Sequence, residues 1–396
     1  MTSGPSARLL DLTRLIRRAD RRMTGVDRVE FAYLEHLLTA PEPLYGLVRT
    51  SLGYLLLDFS GCAAVHERVA QGTWGPVDLP RRLHGGNTGR RQGEADARRL
   101  AIARCLPPGL GRMLRRHLPE RTHYLNTGHS NLTARVLRAV RQVSGMRIGV
   151  LVHDTIPLDF PQYQRAGTAR KFAGFLQRLV QNADVVICNS AQTRGDVLRH
   201  AARWQAAPSC VVAHLGVPLP VPGVAPEGPW EAPYFVALGT IEPRKNHALL
   251  LDLWDEMGAT APHLVILGAR GWENHDVFAR LDRASPRVHE LSGLQDGAVF
   301  ALLAQSAGLL FPSHAEGYGL PPVEAAALGV PVICSDLAVC REVLGNIPIY
   351  AKVTDRYLWR QSIIALAKSQ QTDKKQALEF VPPDWQTHFN IVLSSI

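Results

Sequence analysis

The chain has 396 residues, of which 46% are hydrophobic and 20% are charged, and its formal net charge is +9. This length predicts two domains, and no segment reaches the roughly 18 uninterrupted apolar residues of a membrane-spanning helix. The first residues lack the apolar core and cleavage site of a signal peptide, so we expect a cytoplasmic protein. The six cysteines include no close C-x-x-C pair, which disfavours zinc and disulfides and indicates free thiols.

The first half of the chain predicts an α/β domain. Residues 8–12 predict a strand, a helix begins near Val26 after Thr24-Gly25, and the runs YGLVRTS and YLLLDFS predict two more strands. From residue 122 onward, strands alternate with helices: strands at 122–128, 146–154, 184–190 and 209–216, and helices at 131–143, 167–182 and 191–203. This rhythm predicts a parallel sheet with helices on both faces.

Residues 81–121 carry eleven arginines and only three acidic residues, which accounts for +8 of the net charge. The segment predicts two short basic helices broken at Pro107-Pro108, with an apolar side. Such a concentration favours an anionic partner. We favour an anionic membrane surface, on which the protein would be peripheral, over nucleic acid, because interleaved aromatic residues are missing. The alternative is a basic face that packs on its own domain.

A Pro-rich stretch, residues 217–233, predicts an interdomain linker. A second series of strands and helices follows it, with strands at 234–239, 263–268, 287–293, 307–313 and 330–335, and helices near 246–257, 273–283 and 296–306. We therefore predict two doubly wound domains on either side of the linker.

Residues 307–335 predict a strand, a sharp loop, a short helix and a strand. Two glycines, Gly317 and Gly319, let a backbone approach a ligand closely. Pro321-Pro322 suit a first helical turn, and a helix N-terminus at the carboxyl end of a parallel strand suits phosphate. Glu316 and Glu324, spaced Glu-x7-Glu, would face the same cleft. The alternative is that Glu324 complements the helix dipole and Glu316 is solvated.

Two further strand ends carry charged or titratable groups. In GTIEPRKNH, residues 239–247, Arg244 and Lys245 would neutralise a leaving diphosphate, and Glu242 would position them. In HDTIP, residues 153–157, His153 and Asp154 would face the cleft from the other domain. Taken alone, the cation pair would be surface charge and the histidine would be structural.

Together these three segments resemble the motifs of the retaining glycosyltransferases of family 4. The most specific of them is HAEGYGLPPVEAAALGVPVICS, which carries the Glu-x7-Glu signature. The resemblance implies an α/β GT-B fold, in which two facing Rossmann-like doubly wound domains enclose an interdomain cleft. Its domains would be 1–216 on the acceptor side, 234–375 binding the nucleotide sugar, and a last helix within 376–396 that crosses back to the N-terminal domain. Trp385 would anchor that helix on the N-terminal domain. The alternative is that the helix packs within the second domain.

The resemblance implies transfer of a hexosyl group, with GDP-mannose as the favoured donor, to a glycan or lipid-linked acceptor in polysaccharide or glycolipid synthesis. The anomeric configuration would be retained. No cofactor is expected, and a metal is unnecessary because Arg244, Lys245 and a helix N-terminus are available. A nucleotide-sugar epimerase, a glycan phosphorylase and a non-catalytic nucleotide-sugar-binding protein remain possible on the same fold. Donor alone would reveal an epimerase, and a phosphorylase would need free phosphate and a glycan.

The resemblance also implies roles for individual residues. His153 would lie near the sugar, Glu316 would hold sugar hydroxyls, and Glu324 would hold the ribose. The base would meet Leu294-Gln295, where family members often have Val-Ser, and Arg270 would reach phosphate or ribose or take a surface role. Asn126 or His129 would serve the acceptor side. The predicted catalytic set is His153, Arg244, Lys245 and Glu316, and the predicted binding set is Gly25, Asp154, Gly239, Arg270, Leu294, Gln295, Gly317, Tyr318, Gly319, Leu320 and Glu324.

Overall fold

The computed structural model describes residues 4–77, 88–283, 285–369 and 380–396. Two sheets, each covered by helices, build an α/β architecture, so the predicted class is confirmed. Residues 81–87 of the predicted basic segment and residues 370–379 near the end lie outside the described residues.

The first sheet has eight strands in the order β4-β3-β2-β1-β5-β6-β7-β8. Its strands are Ala7–Asp11 (β1), Leu44–Thr50 (β2), Gly53–Leu57 (β3), Ala103–Cys105 (β4), Thr122–Asn126 (β5), Arg147–Val152 (β6), Val185–Cys188 (β7) and Cys210–Val212 (β8). The helices of this half are Thr13–Arg17 (α1), Gly25–Thr39 (α2), Phe59–Gln71 (α3), Thr88–Leu100 (α4), Leu110–His117 (α5), Ala134–Val140 (α6), Ile156–Asp159 (α7), Thr168–Asn182 (α8) and Ala191–Ala202 (α9), with short 3₁₀ turns at Pro107–Gly109 and Pro161–Tyr163.

The second sheet has six parallel strands in the order β11-β10-β9-β12-β13-β14. They are Tyr234–Leu238 (β9), His263–Leu267 (β10), Val288–Leu291 (β11), Gly308–Phe311 (β12), Val332–Ser335 (β13) and Ile349–Ala351 (β14). The helices are His247–Met257 (α10), His275–Leu281 (α11), Asp296–Gln305 (α12), Leu320–Ala327 (α13), Ala338–Leu344 (α14), Arg356–Ser369 (α15) and Trp385–Ser395 (α16), with 3₁₀ turns at Pro243–Lys245 and Gly258–Thr260.

The central strands are buried on both faces, as their continuous apolar runs require. Every residue of β1, β5 and β10 is buried. Alternation of polar and apolar residues is absent because helices cover both sides of a parallel sheet.

The strands predicted from residue 122 onward are parallel, as expected, but the edge of the first sheet carries two antiparallel strands. Strand β3 runs antiparallel to β2, and β4 runs antiparallel to β3. Only Ser51 and Leu52 connect β2 to β3, and such a short connection makes a hairpin, whereas a parallel crossover needs a dozen residues or more.

The predicted pair of basic helices is also wrong in part, because β4 interrupts it. The first helix ends at Leu100, and the chain then pairs with the sheet edge at Ala103–Cys105. The predicted apolar side consequently splits. Leu110 and Leu114 are buried, but Leu106 is 71% exposed.

The last helix, α16, lies against helix α2 of the first half. The Tyr33 hydroxyl is 2.8 Å from His388 Nε2, and the Tyr33 ring meets Phe389 edge to face. Nδ1 of His388 lies 3.0 Å from the His214 carbonyl oxygen, which places the ring proton on Nδ1 and makes Nε2 the acceptor for Tyr33. Trp385 stacks on Phe389 within the same helix.

We expect Tyr33→Phe to lower the free energy of unfolding by about 1–2 kcal/mol, because it leaves a buried histidine nitrogen without its donor. Chemical denaturation of both variants measures the change. The matched control is Tyr357→Phe, which makes the same chemical change at a side chain that is 68% exposed. Equal stability of the Tyr33 variant and the parent would contradict this account of the helix contact.

Candidate active site

The loop between β12 and α13 has the geometry of a ligand-binding turn. Helix α13 begins at Leu320 with proline in its first turn, as predicted. Gly319 caps it with φ +92°, a conformation that residues with a side chain rarely adopt. The helix N-terminus therefore follows directly from the loop at the carboxyl end of β12, where its free N–H groups favour anions.

Gly317 lies directly against the first half of the molecule. A Cβ atom at this position would lie 2.5 Å from the His153 carbonyl oxygen and 2.9 Å from Asp154 Cβ. Any side chain there would collide with backbone. The HDTIP strand end and the Glu-x7-Glu loop, predicted to face each other across a cleft, are therefore in contact.

Arg244 and Lys245 both hold the Glu316 carboxylate. Arg244 Nη1 is 2.8 Å and Lys245 Nζ is 2.7 Å from Glu316 Oε1. Glu242 Oε1 accepts from Arg244 Nη2 at 2.8 Å, and its predicted role in positioning both cations stays a prediction. The ammonium group of Lys245 also lies 4.5 Å from the centre of the Phe311 ring.

Gly239 makes room for this cluster. Its φ is +141°, and a Cβ atom there would lie 3.2 Å from Lys245 Cε. The glycine therefore lets the lysine stem pass close to the end of β9.

Burial and pairing set the charges of the cluster. Burial would raise the pKa of Glu316, but Arg244 and Lys245 outweigh it and hold that pKa at about 2. Burial lowers the pKa of Lys245, although Glu316 opposes the shift. Burial would likewise lower the pKa of Arg244, but the Glu316 and Glu242 carboxylates raise it. At neutral pH the cluster holds an ionised carboxylate between cations.

His153 is a neutral, fixed ring. Its Nε2 lies 2.7 Å from the Thr127 carbonyl oxygen, which assigns the ring proton to Nε2 and leaves Nδ1 as an acceptor for a ligand. Burial lowers the pKa of His153 to about 4. Asn189 donates to the His153 carbonyl oxygen at 2.8 Å, and His129 packs edge-on against the ring.

Asp154 shapes the loop that follows. Its carboxylate accepts from the Ile156 N–H at 3.0 Å, at the start of helix α7. Burial raises the pKa of Asp154, and Arg244 across the cleft partly counteracts this rise.

Glu324 is reached from the other domain. Arg28 Nη1 is 2.7 Å from Glu324 Oε1, and Arg28 Nη2 is 2.7 Å from Asp296 Oδ2. Burial raises the pKa of Glu324, and Arg28 offsets part of that rise. Gly25 stands beside this bridge, since a Cβ atom there would lie 3.2 Å from Leu320 Cδ1.

A cavity of about 740 Å³ opens beside the predicted base loop. The second half of the chain lines it with Gly293, Gln295, Asp296 and Gly297, and the first half with residues that include Arg18–Met23 and Trp74. Gln295 thus borders a space large enough for a nucleoside. Leu294 packs against the hydrophobic core instead, and it does not line this cavity.

Three residues that were predicted to contact a ligand use their side chains to bind other protein groups. The Arg270 guanidinium pairs with Glu290 and Asp282 at 2.7 Å each, which fits its alternative surface role. The Tyr318 hydroxyl donates to the Leu215 carbonyl oxygen, so its side chain joins the two halves and only its backbone remains for a ligand. Asn126 donates through its amide nitrogen to the Tyr124 hydroxyl and to the Ser130 carbonyl oxygen, so that nitrogen is occupied.

Sequence reasoning missed Arg28, Asn189 and Glu342. Glu342 accepts from the Ala191 N–H at 2.6 Å and so caps helix α9 of the other half. None of these residues stands in a motif, and the partners are distant in the chain. Within residues 4–77, 88–283, 285–369 and 380–396, no group of three His, Cys, Asp or Glu residues is arranged to hold a metal ion.

Residues 227–374 match the family model described as "Glycosyl transferases group 1". The chain is 33% identical over 242 residues to the serotype-specific mannosyltransferase WbdA of Escherichia coli, covering 54% of this chain and 30% of that protein. It is also 33% identical over 132 residues to O-antigen chain mannosyltransferase B of Escherichia coli, covering 32% of this chain and 34% of that protein. The chain thus spans about a third of the length of these relatives.

The fold has counterparts among solved structures. The crystal structure of Anabaena Alr3699/HepE in complex with UDP-glucose superposes with a TM-score of 0.62 at 12% identity, covering 98% of this chain and 95% of that one. The likeness extends over both sheets and confirms the predicted GT-B fold. Residues 227–374 are accordingly similar to the group 1 glycosyltransferases, and the chain has the GT-B fold.

Proposed function

We propose that this protein transfers a mannosyl group from GDP-mannose to a glycan acceptor, with retention at the anomeric carbon. The observation that carries the proposal is the Arg244–Lys245–Glu316 cluster, which lies against the His153–Asp154 strand end in the cleft. The mannosyltransferase names of WbdA and O-antigen chain mannosyltransferase B support mannose as the sugar and a growing polysaccharide as the acceptor.

The cluster suits departure of a nucleoside diphosphate. In the structure, Arg244 and Lys245 are neutralised by Glu316. A donor diphosphate would replace that carboxylate on the two cations, and Glu316 would turn to the sugar hydroxyls. As the glycosidic bond breaks, negative charge develops on the leaving phosphate, where fixed cations and the N-terminus of α13 stabilise it.

The acceptor would attack from the face that the leaving diphosphate vacates, with its proton passing to the leaving phosphate. His153 has the fixed position needed to orient a sugar hydroxyl through Nδ1. It is neutral near pH 7, because burial keeps its pKa at about 4. We therefore assign His153 to positioning the sugar and assign no side chain as a covalent nucleophile.

We expect Lys245→Ala and Glu316→Gln to lower kcat by about 10²–10³-fold, the loss typical of removing one preorganised charge-stabilising group. Transfer of radiolabelled mannose from GDP-mannose to a polysaccharide acceptor measures it. Lys352→Ala is the matched control for the lysine, since Lys352 is exposed at the second sheet's far edge.

Full transferase activity in both variants would refute the enzymatic role and favour a non-catalytic nucleotide-sugar-binding protein. Incubation with donor alone tests for an epimerase, and incubation with free phosphate and a glycan tests for a phosphorylase. A changed sugar would indicate an epimerase, and a requirement for free phosphate would indicate a phosphorylase.

We expect GDP to raise the melting temperature more than UDP, ADP or dTDP do. A ligand at 100 times its Kd stabilises the folded state by about 2.7 kcal/mol, which a thermal-shift assay detects. A larger shift with UDP would overturn the choice of GDP-mannose while leaving the transfer reaction standing.

The basic segment offers a surface for anionic lipid. Helix α5 buries Leu110 and Leu114 in its own domain and presents Arg112, Arg115 and Arg116 to solvent. By contrast, Arg90 and Arg99 of α4 pair with the buried acids Glu94 and Asp96. Within the described part of the chain, no helix is long and apolar enough to cross a membrane. We propose a peripheral contact, with the exposed arginines of α5 on acidic headgroups.

Liposome sedimentation tests this contact. Replacing Arg112, Arg115 and Arg116 by Gln should abolish binding to phosphatidylserine vesicles, because each basic residue contributes about 1 kcal/mol near an anionic surface. The control removes equal charge from the second half, by Gln at Arg283, Arg341 and Arg356. Binding that depends neither on the charge of the lipid nor on the salt concentration would contradict the proposal.

A further inference from the structure

Arg28 connects the first half of the molecule to two carboxylates of the second. Its two terminal nitrogens are each 2.7 Å from a carboxylate oxygen, one of Glu324 and one of Asp296. Arg28 lies in the first turn of α2, whereas Glu324 lies in α13 and Asp296 begins α12. The planar guanidinium suits such a double contact, because its donors form a rigid fork.

The first turn of α2 is held firmly in its own domain. Thr24 and Asp27 form a capping box, in which the Thr24 N–H donates to Asp27 at 2.7 Å. Arg14 and Arg18 each donate to the buried Asp27 carboxylate at 2.6 Å. Consequently Arg28, the next residue, projects from a fixed point.

The carboxylate that Arg28 reaches has one oxygen left for a ligand. The Glu324 side chain is only 8% exposed. In the described part of the chain, its Oε1 takes Arg28 and no hydrogen bond reaches its Oε2. An ionised carboxylate this deeply placed needs a cation beside it, and in this protein the cation comes from the opposite domain.

We infer that Arg28 is a positioning residue for the donor ribose: it holds Glu324 ionised and oriented, so that the free carboxylate oxygen can accept from the ribose hydroxyls. The inference rests on the proposed function, which places the nucleotide here. The second domain alone then has an incomplete ribose site. The site is completed when the N-terminus of α2 meets that of α13, as it does at Gly25 and Leu320.

Titration calorimetry with GDP and 2′-deoxy-GDP on the full chain tests the inference, with the UDP pair in parallel. The parent should bind the ribonucleotide about tenfold more tightly, the value of a hydrogen bond to a charged group. Arg28→Gln should reduce this preference to about twofold or less. Arg28→Lys, which keeps the charge but loses the fork, should lie between.

Two further variants separate positioning from general damage. Asp296→Asn removes the other partner of Arg28 and should keep the ribose preference, whatever its effect on affinity. Glu324→Gln should lose the preference, and adding Arg28→Gln to it should cause no further loss of preference. If Arg28→Gln fails to fold, the lysine and Asp296 variants still decide the question.

The outcomes also separate this inference from the proposed function. An Arg28→Gln protein with the parent's ribose preference would overturn the inference alone. A parent that binds GDP without distinguishing the deoxy form would do the same, because Glu324 would then not meet the ribose. A parent that binds no nucleotide would overturn the proposed function itself.

Discussion

The contact between Gly317 and the His153 carbonyl oxygen sets the distance between the two halves of the molecule. A Cβ atom would lie 2.5 Å from that oxygen, so residue 317 must lack a side chain. With glycine there, the end of β6 and the loop after β12 touch, and charges from both halves act on one another. The pKa of Asp154, which is raised by burial and lowered by Arg244, records this proximity.

The close approach of the two halves buries two cations, and carboxylates of the same cluster neutralise them. Arg244 and Lys245 lie 16% and 12% exposed, where unpaired charge is costly. Glu316 and Glu242 neutralise them. In the proposed reaction, binding of the donor diphosphate would therefore exchange one anionic partner for another. The ionised state of Glu316, whose pKa is held at about 2, keeps that exchange available at every physiological pH.

The local sequence pattern was sufficient to predict most strands and helices and to locate the short motifs. Apolar runs bounded by glycine and proline predicted the ends of the five strands from β9 to β13 to within two residues, and the first-turn prolines predicted the start of α13. Pattern failed at β4, in a stretch rich in arginine. In that region pairing with the hairpin edge at Tyr54–Leu56, a tertiary contact, decides the structure.

Contacts between residues that are distant in the chain also limit how much of the site can be predicted from the sequence. Arg244 and Arg270 both follow a strand of the second sheet, and both pair with two carboxylates. The carboxylates of Arg244 lie in the cleft, whereas those of Arg270 come from β11 and the loop after α11 on the outer surface. Local sequence cannot distinguish these cases, because the difference lies in which distant segment supplies the partner. Arg28 is the extreme example: its partners follow it by 268 and 296 residues, so only the folded chain reveals these contacts.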